Sequence, residues 1–326
     1  MKLMYMLLLC CIGMFGCSKS SSKPQASEFE SWMQANGKIK ILCTTAMIDD
    51  LVGQIGKSRI DHLTLIVGEI DPHSYELVKG DDEKLSYAHL VFCNGLGLEH
   101  GASLRSWLEA QPNVVALGNE IQKICPEEIL MVGGQRDPHI WMDMSLWAKA
   151  IDPIVEALSK SDPEYSEFYK KNGDDLRRQI VHIDQEILDR LQGISPDKRF
   201  LVTSHDAFNY FARRYLATPA ERGSCEWKKR FAAPEGLAPD GQLSAADIQK
   251  IIQFLCSENI GVVFPESNVS RDSLKKIVNA CHEKGLAVKI SQEALYGDAM
   301  GSKESDAGTY FQVMVHNAEA LAKEWK

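Results

Sequence analysis

The tightest constraint on how this chain can fold is one uninterrupted helical pattern near its middle. Ser161 or Asp162 stands as N-cap, Pro163 falls in the first turn, and Tyr165, Phe168, Leu176, Ile180, Ile183, Ile187 and Leu191 recur on one helical face before Gly193 ends the run. About 30 residues at ~1.5 Å each make a rod of roughly 45 Å, long enough to run past two lobes. Gly173 weakens its middle without breaking the pattern.

On both sides of this rod, short β-rich runs alternate with helical patterns, the signature of parallel sheets covered by helices. Strands are predicted at 39–43, 63–67, 90–93 and 114–117 in the first half. In the second they are predicted at 200–203, 262–264, 287–290 and near Tyr215. The expected fold is therefore α/β, with two lobes, each a mainly parallel sheet flanked by helices, joined by a long backbone helix. The boundaries read as a signal peptide and lipoprotein cleavage region at 1–17, a flexible tether at 18–37, an N-terminal lobe at 38–160, the linking helix at 161–193 and a C-terminal lobe at 194–326. The stretch 218–241, rich in Pro and Gly, reads as a long surface loop.

The beginning of the chain has its own character. Lys2 precedes an apolar run of about 13 residues, short of the ~20 that span a bilayer as a helix, and Gly16 then stands before Cys17. This is an export signal whose end resembles a bacterial lipoprotein cleavage site, making Cys17 the residue to carry lipid. The expected location is the periplasm or cell envelope, with membrane association through the N-terminal lipid. Six cysteines lie beyond it. Cys43, Cys93, Cys256 and Cys281 sit in strand-like or helical apolar runs, where buried thiols are common. Cys125 and Cys225, in loop-like surroundings, are the candidates for a disulfide.

A net charge of -9 over 326 residues argues against a nucleic acid or an anionic lipid surface as the main partner, because most of the surface would repel either. A cation suits it better. The sharpest motif is a repeated tripeptide, Asp71-Pro72-His73 and Asp137-Pro138-His139. With 12 Pro and 9 His, composition alone predicts about 0.3 Pro-His pairs. Pro fixes φ and pushes the preceding Asp toward an extended conformation, while Asp can bond the local backbone, so each histidine is held on a stiff loop. A strand ending in Thr203-Ser204-His205-Asp206 offers a third imidazole, and Asp298, in the small-residue turn Gly297-Asp298-Ala299-Met300-Gly301, a carboxylate. If all project from the carboxyl edges of their sheets, they converge between the lobes. Three imidazoles and a carboxylate suit Mn, Fe or Zn, whereas an all-oxygen site favours Ca or Mg.

A single histidine at a strand end is ordinarily a hydrogen-bonded surface residue. His62, His89, His100, His182 and His282 read that way, His316 is left between packing in its helix and support of a ligand, and Trp141 and Trp147 read as core. The motifs at 71–76, 94–99, 137–141, 203–208 and 297–301 resemble, over nearly the whole mature chain, the TroA-like and PsaA-like metal-binding lipoproteins of ABC importers. The resemblance implies one divalent transition-metal ion (Mn, Fe or Zn) held between the lobes by His73, His139, His205 and Asp298. It also implies delivery to an importer permease in the cytoplasmic membrane, with no enzymatic activity. Members with Glu at the third position are associated with manganese, and this chain has His205 there. Zinc-dedicated members carry a His-rich acidic loop, and 118–137 has no histidine. The rival readings are a secreted metallohydrolase and a surface adhesin. Four protein ligands leave no open water position for the first, and the chain has no HExxH helix. The second would bind its partner equally well without the four ligands.

Overall fold

The computed structural model describes residues 28–239 and 244–326. The export signal, Cys17 and the first half of the tether, 18–27, lie outside the described residues. A short helix, Glu28–Trp32, stands in the stretch read as a tether. From Ala35 onward the chain forms one compact unit.

In the first half, strands β1 (Ile39–Cys43), β2 (Ile60–Thr64), β3 (Leu90–Cys93) and β4 (Val114–Ala116) form a parallel sheet in the order β2-β1-β3-β4. Ile41 pairs with His62 on one side and Leu90 on the other. The central strands are apolar apart from Lys40, which is buried and paired with Asp61, because helices cover both faces, and Ile41, Leu42, Val91 and Phe92 are wholly buried. β2 starts three residues before the predicted run. As an edge strand it alternates buried Ile60 and Leu63 with outward Asp61 and His62, so hydrophobicity alone misses its first turn of pairing. A two-residue hairpin follows, β5 (Met131–Val132) with β6 (Gln135–Arg136), turned at Gly133-Gly134, both with positive φ.

The second half repeats this topology in shorter strands. β7 (Leu201–Val202) pairs parallel with β8 (Phe231–Ala232), and β9 (Val262–Val263) with β10 (Lys289–Ile290). The Phe264 N–H donates to Val202 C=O at 2.8 Å between the two pairs, which gives the order β8-β7-β9-β10. Here two sequence expectations fail. Tyr215 lies in a π-helical turn, Ala212–Leu216, with its hydroxyl donating to Asp184 at 2.7 Å. The second strand is instead β8, inside the segment read as a surface loop. That segment folds because Thr218 and Glu221 form a capping box on helix Pro219–Arg222, and buried Arg230 donates to both Glu221 carboxylate oxygens at 2.9 and 2.8 Å. Trp227 and Phe231 bury beneath it.

The central rod is the helix Ser166–Gln192, roughly 40 Å long, entered through a 3-10 turn, Pro163–Tyr165. It packs against helices Ala46–Gly56, Ile151–Ser161 and Tyr310–Glu324. Gly173 is needed for close approach, since a Cβ there would meet Ile151 and Val155 methyls at 2.9 Å. Two buried polar residues pin the rod to both halves. Asn172 donates to Ile55 C=O at 2.8 Å on one side, and Asp184 accepts from Tyr215 and Arg214 on the other. Cys125 and Cys225 are both free thiols, so the expected disulfide is absent. The Cys125 thiol turns back to donate to Ile121 C=O of its own helix at 3.3 Å, while Cys225 is exposed.

Candidate metal centre

The two Asp-Pro-His motifs build the same local turn. In each, the aspartate two residues before the histidine accepts the histidine's backbone N–H, at 2.9 Å for Asp71 and 3.0 Å for Asp137. Asp137 does more. Its Oδ1 also lies 2.7 Å from His139 Nδ1, which holds that nitrogen as a donor and leaves Nε2 free to ligate. Asn209 Nδ2 donates to the other carboxylate oxygen at 3.0 Å and the Tyr210 hydroxyl to the Asp137 C=O at 3.1 Å. Asn94, at the end of β3, donates to the Pro138 C=O at 3.0 Å and ties this turn to the sheet edge.

His205 leaves the carboxyl end of β7 and is supported from far along the chain. Glu266, just past β9 and 1% exposed, accepts the backbone N–H groups of Ser204 and His205 at 3.0 and 2.9 Å. Its other oxygen lies 2.7 Å from His205 Nδ1. Asp298 follows β10. The preceding carbonyl, of Gly297, accepts the Trp141 indole N–H at 3.0 Å, and the Trp141 ring stands edge-on to His139 at 5.3 Å.

The four side chains meet in a dry centre. His73, His139, His205 and Asp298 are each at most 3% exposed, and one ligand atom from each lies within 4.8 Å of all the others. The Nε2 atoms of His73 and His139 are 3.2 Å apart. Asp298 oxygens lie 3.4 Å from each of these and 3.0 Å from His205 Nε2. Donors at ~2.0–2.2 Å from a tetrahedral ion sit about 3.4 Å from one another, so the spacing matches a first-row transition metal. Both Asp298 oxygens and His205 Nε2 are buried without a well-formed hydrogen bond among the described residues. Buried polar atoms seldom stay so without a partner such as an ion.

Opposite charges at the centre shift two of its groups in opposite directions. Burial by itself would lower the His205 pKa, but the Glu266 and Asp298 carboxylates outweigh it and hold the imidazolium well above the usual range. Burial would likewise raise Asp298, yet His205 and His139 outweigh it and keep the carboxyl well below its ordinary value. A cation binding here would compete with a proton on His205. Next to it, burial and then the charge of Asp137 push Asp206 up to about 6.

All four ligand candidates are thus brought together, while the other histidines have structural partners. His316 Nε2 donates to the Ala294 C=O at 2.9 Å and its Nδ1 lies 3.2 Å from Asp306, away from the centre. His62 contacts Asp49, His89 accepts the Lys40 N–H, and His282 bonds the Val288 C=O. Trp141 and Trp147 are buried as expected, although Trp141 also forms a wall of the centre. Glu266 and Asn209 were not singled out by sequence. Glu266 carries no local signal, standing 61 residues from His205.

Known proteins share this arrangement of chain. The family model of the periplasmic zinc-uptake complex component A, ZnuA, matches residues 41–324. The metal-binding protein YtgA of Chlamydia trachomatis is 38% identical over 326 residues, covering 99% of this chain and 95% of that protein. A crystal structure of Fe(III)-bound YtgA superposes with a TM-score of 0.83 over 88% of this chain and 98% of that one, at 38% identity. The manganese-binding lipoprotein MntA of Bacillus subtilis is 29% identical over 99% of both chains. The zinc-binding protein TroA of Treponema pallidum is 30% identical over 88% of this chain and 89% of that one.

Proposed function

We infer the function of this chain from the family to which it belongs, that of the periplasmic zinc-uptake complex component A: it is an extracytoplasmic solute-binding protein that captures a transition-metal ion and presents it to an ABC importer. The observation that carries the ligand assignment is the convergence of His73, His139, His205 and Asp298 within 4.8 Å in a buried centre. The ion is cargo, drawn from Mn, Fe or Zn, the metals that the names of the relatives print. Three imidazole nitrogens and one carboxylate are donors of intermediate softness that serve all three, so selection among them rests on geometry and supply.

Two ligands come from each half, so the ion is held by groups on four separate loops. Release then needs only that one half withdraw its pair. The site is closed by protein donors on every side, which suits carriage and leaves no coordination position for an activated water. We propose that the acceptor is a permease in the cytoplasmic membrane and that lipid on Cys17 holds the carrier beside it. The test is metal analysis of protein purified from its host, with His73→Ala, His139→Ala, His205→Ala and Asp298→Ala beside it. One ion per wild-type chain and severe loss of binding in each folded variant are expected. Stoichiometric binding by all four variants would overturn the ligand set.

A further inference from the structure

A fifth histidine stands at the border of this centre. His100 ends the loop that runs from Asn94, and the loop is clamped to the first Asp-Pro-His turn, because the His73 C=O accepts N–H bonds from both His100 and Gly101 at 3.2 and 3.1 Å. The approach depends on glycine at 101, where a Cβ would lie 2.0 Å from the Tyr75 carbonyl oxygen. The His100 and His73 rings are thereby set with centroids 5.6 Å apart. Among the three clustered histidines the same separation runs from 5.2 to 6.2 Å. His100 and His73 are therefore as close as pairs of imidazoles that converge on one ion.

The electronic state of His100 also fits a ligand. Its Nδ1 lies 3.2 Å from the Gly97 C=O, a contact in which Nδ1 is the donor, so the neutral tautomer that makes it has its lone pair on Nε2. No other hydrogen bond of this ring is formed among the described residues. His100 lines, together with His73, a cavity of about 1180 Å³ that extends over the edge of the first sheet. Charges of both signs line it, Arg105 and Arg136 against Glu99 and Glu109, so its field favours neither ion. The imidazole is the donor in it best matched to a transition metal. The four ligands themselves are at most 3% exposed, which means that an incoming ion needs a first contact outside them.

We propose that His100 is the entry ligand of the metal centre: it takes the ion from the cavity and passes it by ligand exchange to His73, then returns to the neutral, unligated state. The proposal rests on the metal-carrier reading above. One imidazole–metal bond breaks as another forms, and no proton or electron is gained or lost by His100.

The test is stopped-flow mixing of the full mature chain with Zn²⁺, read by intrinsic fluorescence from Trp141 beside His139. His100→Gln and His100→Asn are compared with wild type, and equilibrium affinity is measured by competition with a chelator. A residue on the entry path alone lowers association and dissociation rates together, so both rates are expected to fall about tenfold with their ratio held. A residue that merely props His73 would instead speed dissociation and weaken affinity. Unchanged association in either folded variant, or loss of affinity without slower association, overturns the proposal. If wild type takes up no metal at all, the carrier reading fails first and by a separate result. Asn can still donate to Gly97 and so preserves the loop should Gln unfold it.

Discussion

The two halves of the molecule use the same sheet order and hold their proposed metal ligands in opposite ways. In the first half, each histidine is braced by the aspartate two residues before it, within a stiff Pro turn. In the second, His205 is braced by Glu266 across 61 residues, and Asp298 is placed by a turn whose carbonyl is tied to Trp141 of the other half. The parallel sheet of the first half also has strands of three to five residues, and the parallel strands of the second have two. Local bracing sets the first pair from within their own turns, with Asn209 and Tyr210 of the second half adding bonds only to Asp137. Long-range bracing makes the second pair report on whether the whole second half is assembled. A carrier that must release its ion gains from this asymmetry, because one side can stay formed while the other loosens.

The largest effect expected is that metal removes the asymmetry. A ligand that binds only the native state adds about 4 kcal/mol when free metal is a thousandfold above Kd. Since the ion joins ligands from both halves, hydrogen exchange should slow in β1–β4 and in β7–β10 alike, and the melting temperature should rise. Protons compete for the same imidazoles, so the gain should shrink on acidification through the range where histidine charges. Exchange that slows only in β1–β4 would show that the second half contributes no ligand.

Next in size is the ion pair that folds the 218–232 segment of the second half. Burial works against the Glu221 carboxylate, but the Arg230 guanidinium and the Thr218 N–H outweigh it and lower its pKa to about 2. A folded-state pKa below the unfolded one contributes stability that is fully present above the unfolded value, near 4.5, and lost as pH falls toward 2. Glu221→Ala leaves Arg230 buried and unpaired and should cost about 3 kcal/mol at neutral pH. Urea melts from pH 7 to pH 3 are the measurement. The variant should lose less stability than wild type between pH 4.5 and 3. Equal acid sensitivity in both would separate Glu221 from the folding of this segment.

The same contrast governs what could be read from sequence. The long helix was legible because its apolar residues share one face. What sequence left open was the purpose of its buried Asn172 and Asp184, which only tertiary contacts with Ile55, Arg214 and Tyr215 reveal. Five-residue β1 was placed to the residue, whereas two-residue β8 was lost in a segment dominated by Pro and Gly and a strand was put near Tyr215 instead. At the centre, the paired Asp-Pro-His motifs announced His73 and His139 by themselves. His205 and Asp298 acquired meaning only through family resemblance, and Glu266 had no signal because nothing near it in sequence says that it will meet His205.

Removing each brace should sharpen the comparison directly. Loss of a carboxylate behind a ligating imidazole typically costs 10–100-fold in metal affinity. Asp137→Asn keeps the turn's backbone acceptor but replaces the oxygen that accepts from Asn209 with an N–H, so a loss of about tenfold is expected, with only a modest loss of stability. Glu266→Gln should sit nearer a hundredfold and lower the melting temperature as well, because the same carboxylate gathers the Ser204 and His205 N–H groups at the end of β7. Isothermal titration beside thermal melts distinguishes the two. If both variants lose affinity alone and by the same factor, local and distant bracing are equivalent and the asymmetry is only one of sequence.

The smallest effect concerns covalent linkage. Cys125 belongs to the first half and Cys225 to the second, so a bridge between them would lock the halves together and hinder the loosening that release requires. Both are free thiols, one buried and donating to Ile121 C=O and the other exposed. Replacing both with Ser should therefore leave metal affinity within about twofold and cost less than ~1 kcal/mol, most of it from the buried position. Alkylation of the unfolded, unreduced protein should modify both thiols, and alkylation of the folded protein should modify Cys225 much faster than Cys125. A mass two daltons short in the unreduced chain, with neither residue alkylated, would join the halves covalently and remove the freedom on which the contrast between them depends.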